Sequence, residues 1–280
     1  MKHKIRMIGF DLDGTLLTDK KELRQYTIEV LERAARQGIE ILPVTGRPLC
    51  GLPEEVKNLY GVRYAVTANG ARILDLETGE VLREQLVDVA TAEEILKIFG
   101  KYDALREVYY DGVGYAQEEE LLKISHFFEE GPMSVYVRAT RRKVGNLMEK
   151  FREENRPVDK VQGVFADLDE RKEALARLER MDGVTVTGAL KNNIEVNAAG
   201  VNKGDALLWL AGHLGIAREE IMAFGDGGND IALLEKAGVG VAMKNGREEV
   251  KHAADAITES SNEDEGVARY IEQTVLRKGE

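Results

Sequence analysis

The stretch Ile8-Gly9-Phe10-Asp11-Leu12-Asp13-Gly14-Thr15-Leu16-Leu17 places two carboxylates one residue apart at the end of an apolar run. Residues 5–10 read as a buried strand. Two like charges at its end raise each other's pKa unless something offsets them. Their partners must come from elsewhere in the chain. Residues 22–36 follow with helical spacing, with Leu23, Thr27, Val30, Leu31 and Ala34 on one side and Gly38 as the stop. Residues 39–44 form a second apolar run that ends at Thr45-Gly46-Arg47, and residues 64–67 a third that ends at Ala68-Asn69-Gly70. Strands alternating with helices predict a parallel sheet.

The pattern then changes. Residues 91–99 read as a helix, and Asp111-Gly112 as a hairpin turn between strands 107–110 and 114–116. Residues 135–138 are expected as a strand, 141–154 as a helix, 161–166 as a strand and 169–180 as a helix. Strands at 184–187 and 194–196 close this region. After Asn197 the first rhythm returns. Asn202 caps a helix that stops at Gly215, a strand at 221–224 leads into Gly225-Asp226-Gly227-Gly228-Asn229-Asp230, and a helix runs from there to Ala237. A strand at 239–243 and helices at 248–254 and 264–275 complete the chain. The predicted fold class is α/β. It has a Rossmann-like, doubly wound parallel-sheet core formed by residues 1–80 and 190–280, and an α+β cap inserted at 81–189.

In open parallel sheets, ligands collect beyond the carboxyl ends of the strands. Asp11 and Asp13, Thr45 and Gly46, Asn69, and Asp226, Asn229 and Asp230 all fall at such ends. The acids are hard oxygen donors of the kind that suits Mg²⁺. Thr45, Gly46 and the amides after Asp13 are suited to donate to a phosphate. Lys203 stands at a helix start, where the helix dipole also favours an anion.

These segments resemble the four ordered motifs of the haloacid dehalogenase superfamily: Asp11-Leu12-Asp13-Gly14-Thr15-Leu16-Leu17, Thr45-Gly46-Arg47, Lys203-Gly204 and Gly225-Asp226-Gly227-Gly228-Asn229-Asp230. Ala68-Asn69-Gly70-Ala71 and the long insertion resemble its Cof-like sugar-phosphatase branch, which carries a type IIB cap. The resemblance implies that Asp11 is the nucleophile and Asp13 the acid and then the base. It implies Mg²⁺ held by the Asp11 carboxylate, the Asp13 backbone carbonyl and Asp226. Thr45, Gly46, Lys203 and Asn229 would hold the phosphate, with Asp230 and Asn69 supporting. The implied activity is hydrolysis of a small phosphomonoester, a sugar phosphate or related metabolite, through an aspartyl phosphate. A phosphomutase or phosphotransferase with a sugar acceptor, or a non-catalytic protein that binds phosphorylated ligands, are the alternatives.

The bulk composition bounds the rest. The 280 residues are 43% hydrophobic, enough for one large domain or two modest ones. A net charge of −11 argues against nucleic acid or an anionic membrane as the main partner. No apolar run approaches a membrane span, and the N-terminal apolar stretch is too short for a secretory signal. Cys50, the single cysteine, excludes an internal disulfide, and the expected location is the cytoplasm. His3, His126, His213 and His252 share no ligand spacing, and Arg47 reads as a brace for its loop.

Overall fold

The computed structural model describes residues 4–276. In chain order the first elements are β1 (Met7–Phe10), α1 (Gln25–Arg36), β2 (Glu40–Pro43), α2 (Glu54–Lys57), β3 (Tyr64–Thr67), β4 (Arg72–Asp75) and β5 (Val81–Glu84). Then come α3 (Val89–Phe99), β6 (Ala104–Tyr110), β7 (Val113–Gln117), α4 (Glu118–Leu122), α5 (Pro132–Thr140), β8 (Arg141–Val144), α6 (Leu147–Glu154) and β9 (Lys160–Phe165). They are followed by α7 (Leu168–Leu178), β10 (Val184–Thr187), β11 (Asn193–Ala198), α8 (Lys203–His213), β12 (Ile221–Gly225) and α9 (Ile231–Lys236). The chain ends with β13 (Val239–Ala242), α10 (Glu248–Ala253), β14 (Ala256–Ile257) and α11 (Gly266–Thr274).

Two compact units emerge. The first comprises Met1–Gly46, Leu52–Arg83 and Asn202–Glu280; the second comprises Arg47–Gly51 and Glu84–Val201. The first changeover falls at 83/84, near the expected 81, but the second falls at 201/202 and not at 189, because β11 pairs with β9 and β10 and so belongs to the inserted unit, which also takes in the pentapeptide 47–51.

The first unit is built on a parallel sheet of order β14-β13-β12-β1-β2. A parallel bridge from Val44 to Val66 places β3 beyond β2, and β3 begins an antiparallel extension of order β3-β4-β5. The strands read as near-continuous apolar runs because both faces are covered, as parallel sheets require. Met7, Leu42 and Ala223 pack with Leu207 and Leu210 of α8. Phe224 meets Tyr270 of α11 edge to face. α8 crosses closely at Gly9, where a Cβ would lie 3.0 Å from a methyl group of Leu207. The antiparallel β4 and β5, and the short β14, are additions to what the sequence pattern predicts.

The second unit holds a six-stranded sheet of order β10-β11-β9-β6-β7-β8, antiparallel except for the β7–β8 pair. The β6–β7 hairpin forms as expected, with Asp111 at φ 49° and Gly112 at φ 73°, the positive pair that a type I′ turn demands. Phe165 packs edge to face on Phe99 of α3. Among the side chains of β6, β8, β9 and β11 is a buried charged network. Arg141 Nε donates to Glu107 Oε1 at 2.7 Å, and Lys160 Nζ donates to Glu195 Oε2 at 2.7 Å. Tyr109 and Tyr110 are buried, as hairpin packing residues should be. Contacts of Cys50 and Arg47 join the pentapeptide to the rest of this unit, and one hydrogen bond closes it on itself. Cys50 N donates to Gly112 O at 3.0 Å, Arg47 lies 4.3 Å over the Tyr136 ring, and Arg47 Nη1 donates to Gly51 O at 2.8 Å.

Two expected elements are corrected in this unit. Residues 135–138 are helical, within α5, not a strand. Pro132 sits in the first turn, Ser134 Oγ and the Gly131 backbone exchange hydrogen bonds, and Val137 faces inward while Val135 is 62% exposed. Residues 141–144 are strand β8, and the helix expected from 141 starts only at Leu147. There Asn146 Oδ1 accepts from Met148 N and Glu149 N.

Candidate active site

β1 ends directly at Asp11, whose backbone N–H still joins the sheet by donating to Phe224 O at 3.0 Å. The chain then turns at once. Thr15, Leu16 and Leu17 all donate to Leu12 O, and Gly14 adopts φ +83°. Glycine is required at that point for a second reason, since a Cβ would strike the Asp226 carboxylate. The neighbouring Thr15 Oγ1 donates to Asp226 Oδ1 at 2.7 Å.

Lys203 opens α8, capped by Asn202, whose Oδ1 accepts from Asp205 N at 2.8 Å. Its fully buried Nζ donates to Asp11 Oδ1 at 2.7 Å and to Asp230 Oδ1 at 2.6 Å. Asp230 is engaged on its other oxygen as well, accepting from Asp226 N at 3.0 Å and Gly227 N at 2.9 Å. It therefore fixes both the ammonium and the loop that carries Asp226. Thr45 is buried at the end of β2, donating from its backbone N–H to Val66 O at 2.9 Å and accepting from Asn69 N at 3.0 Å. Asn69 takes φ +62° and its Oδ1 accepts from Asn229 Nδ2 at 3.2 Å. Gly46 follows Thr45 as the last residue of that segment in the first unit.

The electrostatics of this cluster are unbalanced. Ligand oxygens of Asp11, Asp226 and Asp230 lie within 4.8 Å of one another. Burial raises the Asp11 carboxyl well above the usual range; Lys203 pulls it down, and Asp230, Asp226 and Asp13 push it up again. Burial, then Asp230, lifts Asp226 to about 7. Burial alone would lower Lys203, but Asp11 and Asp230 hold it above its ordinary value. One ammonium does not neutralise three converging carboxylates. An all-oxygen donor set with surplus negative charge fits a hard divalent cation. The Asp13 side chain points to another partner: Lys21 Nζ lies 2.8 Å from its Oδ1.

The polar residues expected from the sequence thus fall in one unit, and the bonds described join most of them directly. Thr15, Lys21, Asn245 and Asn262 are additional. Asn245 Nδ2 donates to Gly14 O at 2.8 Å, and its Oδ1 accepts from Asn262 N at 3.0 Å. Asn245 precedes a glycine just after β13, a turn signal that could have marked it; Lys21 carries no such signal. His126 pairs with Asp103 and His213 stacks on Trp209, while His3 lies outside the described residues. No helix among the described residues is long and apolar enough to cross a membrane.

A buried lysine thus bridges a strand-end aspartate to a second acid, beside a carboxylate cluster at the carboxyl edge of a parallel sheet, where open α/β sheets collect their ligands. The family model for haloacid dehalogenase-like hydrolases matches residues 8–271. The chain is 32% identical to phosphatase YwpJ of Bacillus subtilis over 95% of this chain and 99% of that one. It is 30% identical to the 5-amino-6-(5-phospho-D-ribitylamino)uracil phosphatase YcsE of the same organism, over 97% of this chain and 96% of the relative. The solved structure of the subclass IIB sugar phosphatase BT4131 superposes with a TM-score of 0.80 at 25% identity, covering 96% of this chain and 98% of that one. The chain belongs to the haloacid dehalogenase-like hydrolases, in their Cof-like branch, and is a phosphatase.

Proposed function

We propose that this phosphatase hydrolyses a small phosphomonoester, a sugar phosphate or related metabolite, through an aspartyl phosphate on Asp11. The observation that carries the proposal is the Lys203 bridge between Asp11 and Asp230, which fixes a carboxylate nucleophile and a counter-charge in one buried place. Asp11 attacks phosphorus as the bond to the leaving oxygen breaks, and Asp13 gives that oxygen its proton. Asp13 then takes a proton from water as the water attacks phosphorus and the Asp11–phosphorus bond breaks, releasing inorganic phosphate. Thr45, Gly46, Lys203 and Asn229 hold the phosphate, Asn69 positions Asn229, and Asp230 positions Lys203. Asp11, the Asp13 backbone carbonyl and Asp226 would hold Mg²⁺, which would supply charge neutralisation for the bound phosphate.

These residues recognise a phosphate and nothing beyond it, so we assign substrate discrimination to the inserted region, residues 81–189. The names of YcsE and of the sugar phosphatase favour a polyol or sugar phosphate. The net charge of −11 disfavours nucleic acid, and the exposed thiol of Cys50 suits the reducing cytoplasm. The test is a panel of phosphorylated metabolites assayed for phosphate release with Mg²⁺ and after exhaustive chelation, with no sugar acceptor present. Release that needs Mg²⁺ and vanishes in a folded Asp11→Asn variant is the expected result. Full turnover after chelation, or a strict need for an acceptor sugar, overturns it.

A further inference from the structure

The contact between Lys21 and Asp13 has no place in the chemistry assigned so far. An ion pair at 2.8 Å between side chains that are 21% and 26% exposed contributes little to stability in itself. The backbone beneath it is less ordinary. Lys21 holds φ +66°, a left-handed conformation that L residues with a side chain rarely adopt. Glycine or asparagine is the usual occupant of such a position. The sequence places a lysine there instead.

The turn that imposes this conformation is clamped on every side. Lys21 N donates to Thr18 O at 2.8 Å, Thr18 N to Glu22 O at 3.1 Å, and Glu22 N to Thr18 Oγ1 at 3.1 Å. The buried Asn262 donates from Nδ2 to Leu17 O and to Asp19 Oδ1, both at 3.1 Å. Asn262 is joined in turn to Asn245, which holds Gly14 O. The loop from Asp13 to Lys21 is therefore tied at Gly14, Leu17 and Asp19 by two linked asparagines. The Lys21 Cα has a fixed place, and its side chain reaches back across the loop to the carboxylate two residues beyond Asp11. Strain concentrated beside a reacting group, in a turn over-determined by its surroundings, points to a positioning device.

We infer that Lys21 is a positioning residue for the Asp13 carboxylate, holding Oδ1 so that the whole group is aimed at the leaving oxygen. This rests on the acid and base role proposed above for Asp13. A proton-transfer group gives its full effect only when held in hydrogen-bonding geometry toward its target. An Asp13 released from Lys21 keeps its carboxyl group but loses both its fixed aim and the neighbouring ammonium.

The consequence depends on the leaving group. A nitrophenolate departs without being protonated, whereas an alkoxide needs the proton as the bond breaks. The comparison is kcat/KM, which covers the steps through loss of the leaving group, for 4-nitrophenyl phosphate and for the best alkyl phosphomonoester of the panel. Lys21→Gly removes the side chain and suits the left-handed backbone, so its melting temperature should stay level or rise. Its kcat/KM should fall about tenfold or more on the alkyl ester and less than about threefold on the aryl ester, a fraction of the full effect of a general acid. Lys21→Arg should recover most of the loss, and Lys21→Met should repeat the selective fall. Asp13→Asn separates the two layers of the argument. If it slows both esters equally, the acid role of Asp13 is wrong. If it slows the alkyl ester selectively while Lys21→Gly keeps the wild-type ratio, or lowers both alike, Asp13 keeps its role and the positioning role of Lys21 is overturned.

Discussion

At the scale of single residues, the active site is a contest between burial and charge. Asp226 is raised to about 7, and burial is the leading cause. An unfolded aspartate titrates near about 4. Between those values the folded, metal-free chain keeps a proton that the unfolded chain gives up. The stability contributed by this group therefore declines as pH rises from about 4 to about 7, and the penalty is complete above that. A divalent cation removes the penalty, but at acidic pH it must first displace the proton. The rise in melting temperature on adding Mg²⁺ should accordingly be larger at pH 8 than at pH 6, and the difference should shrink in Asp226→Asn. Calorimetric scans at the two pH values check this, and equal shifts count against a cation at Asp226. The acids, Thr45, Lys203 and Asn229 were legible in the sequence because each lies at the end of an apolar run or the start of a helix, in a fixed order. Lys21 was not. Its turn is closed by local bonds to Thr18, but the loop that carries it is held at Gly14, Leu17 and Asp19 by Asn245 and Asn262, more than 200 positions downstream.

At the scale of elements, local signals succeed where the chain's own geometry decides and fail where a distant partner does. Asp111-Gly112 marked its hairpin because both positions need positive φ, which few residues supply. The run Met133-Ser134-Val135-Tyr136-Val137 has the composition of a strand, yet it is helical because Pro132 and Ser134 start a helix whose inward side includes Ser134 and Val137. Arg141-Arg142-Lys143-Val144 has the charge of a solvated helix, yet it is drawn into parallel pairing with Gly114 to Gln117. That pairing is long-range and leaves no imprint on the four residues themselves. The helix that follows depends on its cap, as Asn146 Oδ1 satisfies two N–H groups of its first turn. Asn146→Ala should lower stability by about 1 kcal/mol in urea titration. Its kcat on 4-nitrophenyl phosphate should be unchanged, since α6 carries none of the residues placed in the active site.

At the scale of the whole molecule, the α/β core and the sheet-rich insertion were both visible as a change of rhythm and its return. The pentapeptide Arg47–Gly51 was not, because it stands in the sequence among core residues and gives its contacts to the insertion. Cys50 donates to Gly112, and Arg47 covers Tyr136. This bears on how such proteins recombine. A chimera that takes residues 84–201 from a relative keeps a pentapeptide fitted to the insertion it has lost. It should fall short of either parent by about 1–3 kcal/mol, the worth of a hydrogen bond and a cation–ring contact. Grafting 47–51 together with 84–201 should recover that deficit in a thermal melt, whereas equal melts for the two chimeras would refute the dependence. Inheritance of a new insertion is thus a two-site event. A transplanted domain has to bring with it five residues from a distant part of the gene, directly after the loop that ends in Thr45-Gly46.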